Sequence, residues 1–263
     1  MDKDQTSAYI KTLPTLQDEV YVFDNIIPNK AQTLIYSLAI QELDWKIGGN
    51  IQGTSGFNLD NDKMSESFQF TSLILDQTAS NIKWCGFGVD GGRDRFDYNF
   101  MLPMQFGAMR LGSKVSIRST LRCKLNFQTR VLPHKKNKYN LPHTDFASID
   151  GSKYFTAIYY VNDSDGDTFI FNEKHQVGKI ADEMGNMKED YRNKIQNLTV
   201  RKRITPKKGT IIIFRGDTLH AGCHPVDNDY RCVINFNFFP KSLIDYNSNH
   251  DLEMYRRIFG DTP

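Results

Sequence analysis

Apolar positions change their period partway along the chain. VYVF at residues 20–23 reads as a short strand. After Pro28, the recurrence of Ala31, Leu34, Ile35, Leu38 and Ala39 at helical spacing predicts a helix over 30–43 that packs on a sheet. Residues 48–62 (GGNIQGTSGFNLDND) keep no apolar period and read as a loop. Weak alternation over 68–83 predicts a strand followed by a helix, 85–97 is a glycine-rich turn region, and 100–106 is irregular around Pro103. From residue 115 the character changes. Runs at 115–129, 155–161, 168–171, 210–214 and 233–239 are rich in β-branched and aromatic residues and bounded by Asn, Asp, Gly and Pro, the punctuation of antiparallel strands. The mostly charged stretch 172–203 interrupts them and reads as a partly helical surface excursion. Leu252, Tyr255, Ile258 and Phe259 return to helical spacing and predict a C-terminal helix over a sheet face.

These elements predict one domain over 1–263, mainly β with flanking helices (α+β), around a double-stranded β-helix or jelly roll. Residues 1–19 form a loose arm, 20–114 N-terminal helices and loops, 115–240 the jelly-roll core with its insertion 172–203, and 241–263 the C-terminal helix. At 39% hydrophobic and 12% aromatic, 263 residues suffice for one core but hardly for two.

Lys and Arg (33) nearly balance Asp and Glu (31), so no overall field points at nucleic acid or an anionic membrane. The basic clusters Lys135, Lys136, Lys138 and Arg201, Lys202, Arg203, Lys207, Lys208 read as solvated loop charge. Cys85, Cys123, Cys223 and Cys232 are too scattered for a Cys-x-x-Cys motif and are expected as reduced thiols. The polar start MDKDQTSAYIKT lacks the basic head and apolar run of a signal peptide, and no stretch reaches membrane-span length, so a soluble, cytoplasmic protein is expected. Gly86-Phe87-Gly88 is too short for a phosphate cradle.

Candidate chemistry lies in LPHTDF, residues 141–146. In a strand, His143 and Asp145 point to the same side while Thr144 points away, so imidazole and carboxylate converge. His220 follows the buried-looking strand 209–214 and the turn 215–217, at a strand–loop boundary. Two histidines and one carboxylate make a facial triad for iron(II) with three open positions. Arg231 shares a strand face with Val233 and Asn235, opposite Cys232 and Ile234. A guanidinium facing a barrel interior needs an anion, and its fork suits the distal carboxylate of a dicarboxylate cosubstrate. His224, four residues from His220, is open to misreading as a ligand, while His134, His175 and His250 lack any partner pattern and read as surface residues.

LPHTDF, FTAIYYVNDSDGDTFIF, KKGTIIIFRGDTLHAG and YRCVINFNFF together resemble the iron(II)- and 2-oxoglutarate-dependent oxygenase superfamily. The closer similarity is to its prolyl-4-hydroxylase-like branch and to small members carried by tailed phages. The resemblance covers residues 121–239 and extends weakly to 20–43. It implies His143, Asp145 and His220 as iron ligands, Arg231 as the partner of 2-oxoglutarate, and Fe(II), 2-oxoglutarate and O2 as cofactor and cosubstrates. Many prolyl hydroxylases carry lysine where Arg231 stands. On the strand where Arg122, Lys124 and Asn126 share a face, related oxygenases lend a polar side chain to the cosubstrate, and Asn126 is the candidate. Tyr159 and Tyr160 sit on opposite faces of the next strand, and the pattern does not choose between them; Tyr159 is carried as the cosubstrate-binding candidate.

The implied activity is hydroxylation of an unactivated C–H bond, with a peptidyl target such as proline leading. A nucleic-acid base, a small metabolite, or a jelly-roll binding module without catalysis stand as alternatives. Arg231 argues against a metal enzyme that dispenses with 2-oxoglutarate. Oligomeric state, and whether 48–62, 85–97 and 172–203 act as lids, are left open by the sequence.

Overall fold

The computed structural model describes residues 15–50, 68–76, 83–84, 94–115, 119–133, 138–146, 149–175, 193, 195 and 197–242. Two antiparallel sheets face each other. The larger contains β1 (Val20–Phe23), β10 (Ile211–Arg215), β7 (Phe155–Tyr160), β12 (Tyr230–Phe238), β6 (Thr120–Thr129), β3 (Phe68–Asp76) and β2 (Lys46–Asn50) in that order, with β4 (Lys83–Trp84) beside β3. The smaller has the order β11 (Thr218–Gly222), β8 (Thr168–Lys174), β9 (Val200–Ile204). Single bridges from Tyr139 to Cys223 and from His143 to His220 lay the segment carrying the histidine–aspartate motif along the free edge of β11. A short pair, β5 (Ser113–Lys114) and β13 (Lys241–Ser242), stands apart. This is the jelly-roll core that the strand pattern predicts.

Alternation along each strand sorts side chains into layers. Ile158, Tyr160, Ile170, Ile212, Phe214 and Val233 pack between the sheets. Ala157, Tyr159, Ile211, Ile213, Cys232, Ile234 and Phe236 face the opposite way, into the core covered by α1 (Asn29–Ser37) and α2 (Asp94–Arg110). Phe169, Phe171, Leu219 and Ala221 form a third cluster on the outer face of the small sheet. A Cβ on Gly107 would lie 2.8 Å from Ile213 Cδ1, so α2 approaches β10 where its side chain vanishes.

Several expectations need correction. Residues 94–110 are one helix running through Pro103, neither a turn region nor irregular. Pro103 forfeits one helix bond, but Phe100, Met101, Leu102, Met104 and Ala108 are buried, and that burial outweighs a local cost of roughly 3 kcal/mol. Lys46–Asn50 pairs with β3, so the proposed loop at 48–62 begins as a strand; its backbone bonds do not depend on the side chains that Gly48 and Gly49 lack. Lys83–Trp84 is strand and not helix. The long strand begins at Thr120 rather than 115. Val200–Ile204 belongs to the small sheet and not to a surface excursion. The helix from Pro28 continues past Ser37 as a π turn over Leu38–Glu42, with Leu34 exposed and not packed. The loose arm over 1–14, the turn at 85–93, the insertion over 176–192 and the C-terminal helix lie outside the described residues, as do Cys85, His134 and His250. Cys123, Cys223 and Cys232 are buried and form no disulfide. No helix among the described residues is long and apolar enough to cross a membrane.

Candidate functional site

The inward faces of β6, β7, β8, β11 and β12 line a cavity of about 260 Å³ with Gln69, Asn140 and the 143–145 segment. His143, Asp145 and His220 meet there, their ligand atoms all within 4.8 Å of one another. His220 lies mid-strand in β11 rather than at a strand–loop boundary, and its bridge to His143 holds the two rings 4.6 Å apart. The Nδ1–H of His143 donates to the Leu141 carbonyl at 2.9 Å and that of His220 to the Thr218 carbonyl at 3.2 Å. A carbonyl only accepts, so both rings carry their proton on Nδ1 and leave the Nε2 lone pair for a metal.

Asp145 is held from several sides. Arg122 donates to Oδ1 at 2.7 Å, Asn237 to Oδ2 at 2.8 Å and Thr156 to Oδ2 at 3.2 Å. Burial pushes the carboxyl up, but the Arg122 guanidinium, both imidazoles and the Asn237 bond outweigh it and hold Asp145 well below the usual range. Burial, reinforced by His220 and only partly opposed by Asp145, lowers His143 to about 3; burial lowers His220 as well. The cluster therefore offers two neutral imidazoles and one carboxylate, the protonation states a divalent metal requires. The donor set fits iron(II).

Arg231 occupies the other end. It is buried, donating from Nη1 to Gln128 Oε1 and from Nη2 to Thr168 Oγ1, both at 2.8 Å. Its Nε has no partner among the described residues, and no carboxylate there lies within ion-pair distance of it. Thr168 Oγ1 also accepts from Tyr160 at 2.9 Å, which leaves its own proton to donate elsewhere. Gly222 makes room for the guanidinium: a Cβ there would lie 3.3 Å from Nη1.

Asn126 lines the cavity, and its Oδ1 has no partner among the described residues. Tyr159 is a correction: it points into the helix-covered core, and Tyr160 on the opposite face bonds Thr168 beside Arg231. Residues that sequence reasoning missed are Gln128, Thr156, Thr168, Asn235 and Asn237. Gln128 extends the alternation Arg122, Lys124, Asn126, and Asn235 and Asn237 extend that of Arg231, so these three were readable from period. His224 turns its Nδ1 to the Thr129 carbonyl, away from the triad.

A jelly roll enclosing a two-histidine, one-carboxylate cluster beside a buried arginine defines a class of metal-site proteins, and similarities to known proteins narrow it. Residues 128–239 match the family described as the 2OG-Fe(II) oxygenase superfamily. An oxidoreductase of the 2OG-Fe(II) oxygenase family from Burkholderia pseudomallei is similar in fold, with 12% identity, TM-score 0.51, and 90% of this chain and 91% of that one covered. SnoN, a non-heme alpha-ketoglutarate-dependent epimerase from nogalamycin biosynthesis, is similar at 11% identity and TM-score 0.51, over 90% and 82% of the two chains. SnoK, a carbocyclase of the same biosynthesis, is similar at 8% identity and TM-score 0.51, over 96% and 90%. No curated protein matches at a significant level. The matched segment contains all three cluster residues and Arg231.

Proposed function

We propose that the chain is an iron(II)- and 2-oxoglutarate-dependent oxygenase that hydroxylates a C–H bond. The observation that carries the reading is Arg231, a buried guanidinium with no carboxylate partner among the described residues, opening onto the same cavity as the three candidate ligands. His143 and His220 through Nε2, with Asp145, would hold iron(II). Arg231 and the Thr168 hydroxyl would bind the distal carboxylate of 2-oxoglutarate, with Gln128 and Tyr160 holding them in place. When bound, metal and cosubstrate supply the oxidation: 2-oxoglutarate, O2 and R–H become succinate, CO2 and R–OH, one oxygen atom entering succinate and the other the product. The chain's own task is to orient and to exclude water. Neutral histidines and an ionised Asp145 need no proton transfer to receive the metal.

Resemblance to prolyl hydroxylases makes a peptidyl residue the first substrate class to test, but it is carried by the ligand motif and not by the cavity wall. The founding test is succinate formation from 2-oxoglutarate with iron(II) and O2, alongside anaerobic binding of 2-oxoglutarate. Loss of turnover in His143→Ala and of 2-oxoglutarate binding in Arg231→Ala is expected. Unchanged behaviour in both variants overturns the assignment, and a metal-binding protein that never consumes 2-oxoglutarate is then a binding module.

A further inference from the structure

We infer that the molecule oxidised is a small acid, its carboxylate or phosphate held by the Lys124 ammonium at the end of the cavity away from Arg231. The inference rests on the oxygenase reading and adds the substrate class. β6 presents Arg122, Lys124, Asn126 and Gln128 to the cavity, and its register with β12 sets Gln128 opposite Arg231 but Lys124 opposite Asn235. Four residues along a strand separate Gln128 from Lys124, a backbone distance of roughly 13 Å. The two cations therefore belong to different parts of the site.

Matching charges at each part leaves Lys124 over. Arg122 is paired with Asp145 at 2.7 Å. A diacid with one carboxylate on Arg231 and the other on the metal has none to offer elsewhere. Lys124, partly buried, feels the field of the Asp145 carboxylate, but that carboxylate is already bonded by Arg122, Thr156 and Asn237, and Lys124 has neither a hydrogen bond nor an ion pair among the described residues. An ammonium withdrawn from water with no acceptor is costly, and an anion arriving with substrate removes that cost. The wall agrees. Apart from Ile158, Val233 and Gly222 the lining is polar or charged, with Gln69, Asn126 and Asn140 adding amides. A hydrocarbon substrate would strip water from these groups and return no hydrogen bonds. A neutral prolyl peptide would answer the amides but leave the ammonium unmatched.

The test uses the full chain with manganese(II) and 2-oxoglutarate, kept free of oxygen, after calorimetry has established that 2-oxoglutarate binds. Matched probes are then titrated: each N-acetyl-L-amino acid against its N-acetyl carboxamide, glycerol 3-phosphate against glycerol, and a blocked prolyl peptide. At least one acid is expected to bind about tenfold or more tighter than its neutral counterpart, with the preference abolished in Lys124→Met and kept in Lys124→Arg. Which pair responds identifies carboxylate or phosphate. Retained binding of 2-oxoglutarate by Lys124→Met shows that the variant is folded. Equal binding of acids and neutral partners, a preference that survives Lys124→Met, or a prolyl peptide binding tighter than every acid overturns the inference and leaves the oxygenase reading standing. Failure of 2-oxoglutarate itself to bind removes that reading, and this inference with it.

Discussion

Arg122 donates to Asp145 Oδ1 at 2.7 Å, so the carboxylate that completes the candidate metal cluster is already paired with a cation. Asp145 is almost wholly buried, and Arg122 is the largest of the contributions, beside the Asn237 and Thr156 bonds, that make its charge tolerable in the metal-free protein. Removing one member of a buried pair typically costs 3–5 kcal/mol, because the other is left uncompensated.

Arg122→Met is therefore expected to destabilise the metal-free protein by about 3 kcal/mol in urea unfolding. Saturating manganese(II) replaces the missing positive charge, so it should stabilise the variant more than it stabilises the parent. Equal stabilisation of the two would mean that Asp145 does not see the metal.

The histidines set a pH dependence whose sign follows from their environment. His143 is lowered to about 3 from an ordinary value of 6.5, by burial first and then by His220. As pH falls below 6.5, the unfolded chain takes up a proton at this position and the native site does not. The metal-free fold thus loses stability from about pH 6.5 down to about 3, at about 1.4 kcal/mol per pH unit for such a histidine, and gains nothing further above 6.5. His220 is shifted in the same direction. Denaturant unfolding at pH 7, 6 and 5 measures the slope, and His143→Asn should flatten it. Between pH 7 and 5 His143 has no proton to release, so it adds no pH dependence to metal binding by the native protein.

Arg231 separates a ligand-binding role from a structural one. A buried guanidinium that only braced the fold would leave a costly gap when replaced. One kept for an anion is a burden in the ligand-free state, and an apolar residue of similar length relieves it. Arg231→Met is expected to unfold no earlier than the parent without 2-oxoglutarate, and to lose binding of 2-oxoglutarate by at least about thirtyfold. A large drop in melting temperature with binding retained would reverse the assignment. Gly222→Ala, which sets a methyl group 3.3 Å from Nη1, should weaken the same binding with little effect on metal.

What could be read from the sequence divides along a physical line. His143, Asp145 and Arg231 were legible because period-2 spacing fixes a side chain's face when one face is chemically distinct. The helix at 94–110 was not, since Pro103 masks a packing role that the burial of Phe100, Met104 and Ala108 in the core reveals. Val200–Ile204 hid in a charged stretch, where Arg201 pairs with Asp18 and Arg203 with Asp167. Those pairs also give the basic run a local partner, which weakens its use as a guide for polyanions.

The two tyrosines show the same limit and yield a last test. Every residue of β7 is buried, because helices cover one face of the large sheet and the small sheet covers the other. Alternation then carries no inside–outside contrast, and Tyr159 could not be told from Tyr160. In the fold, the Tyr159 hydroxyl has no partner among the described residues, while that of Tyr160 supports Thr168 beside Arg231. Tyr159→Phe removes an unsatisfied buried hydroxyl and should leave 2-oxoglutarate affinity alone while holding or raising stability by up to about 1 kcal/mol. Tyr160→Phe frees Thr168 to turn, so its effect should fall on the Km for 2-oxoglutarate, raised severalfold, with metal affinity unchanged. If the two effects are exchanged between the variants, the facing of β7 is wrong and with it the placement of Thr168 at the cosubstrate.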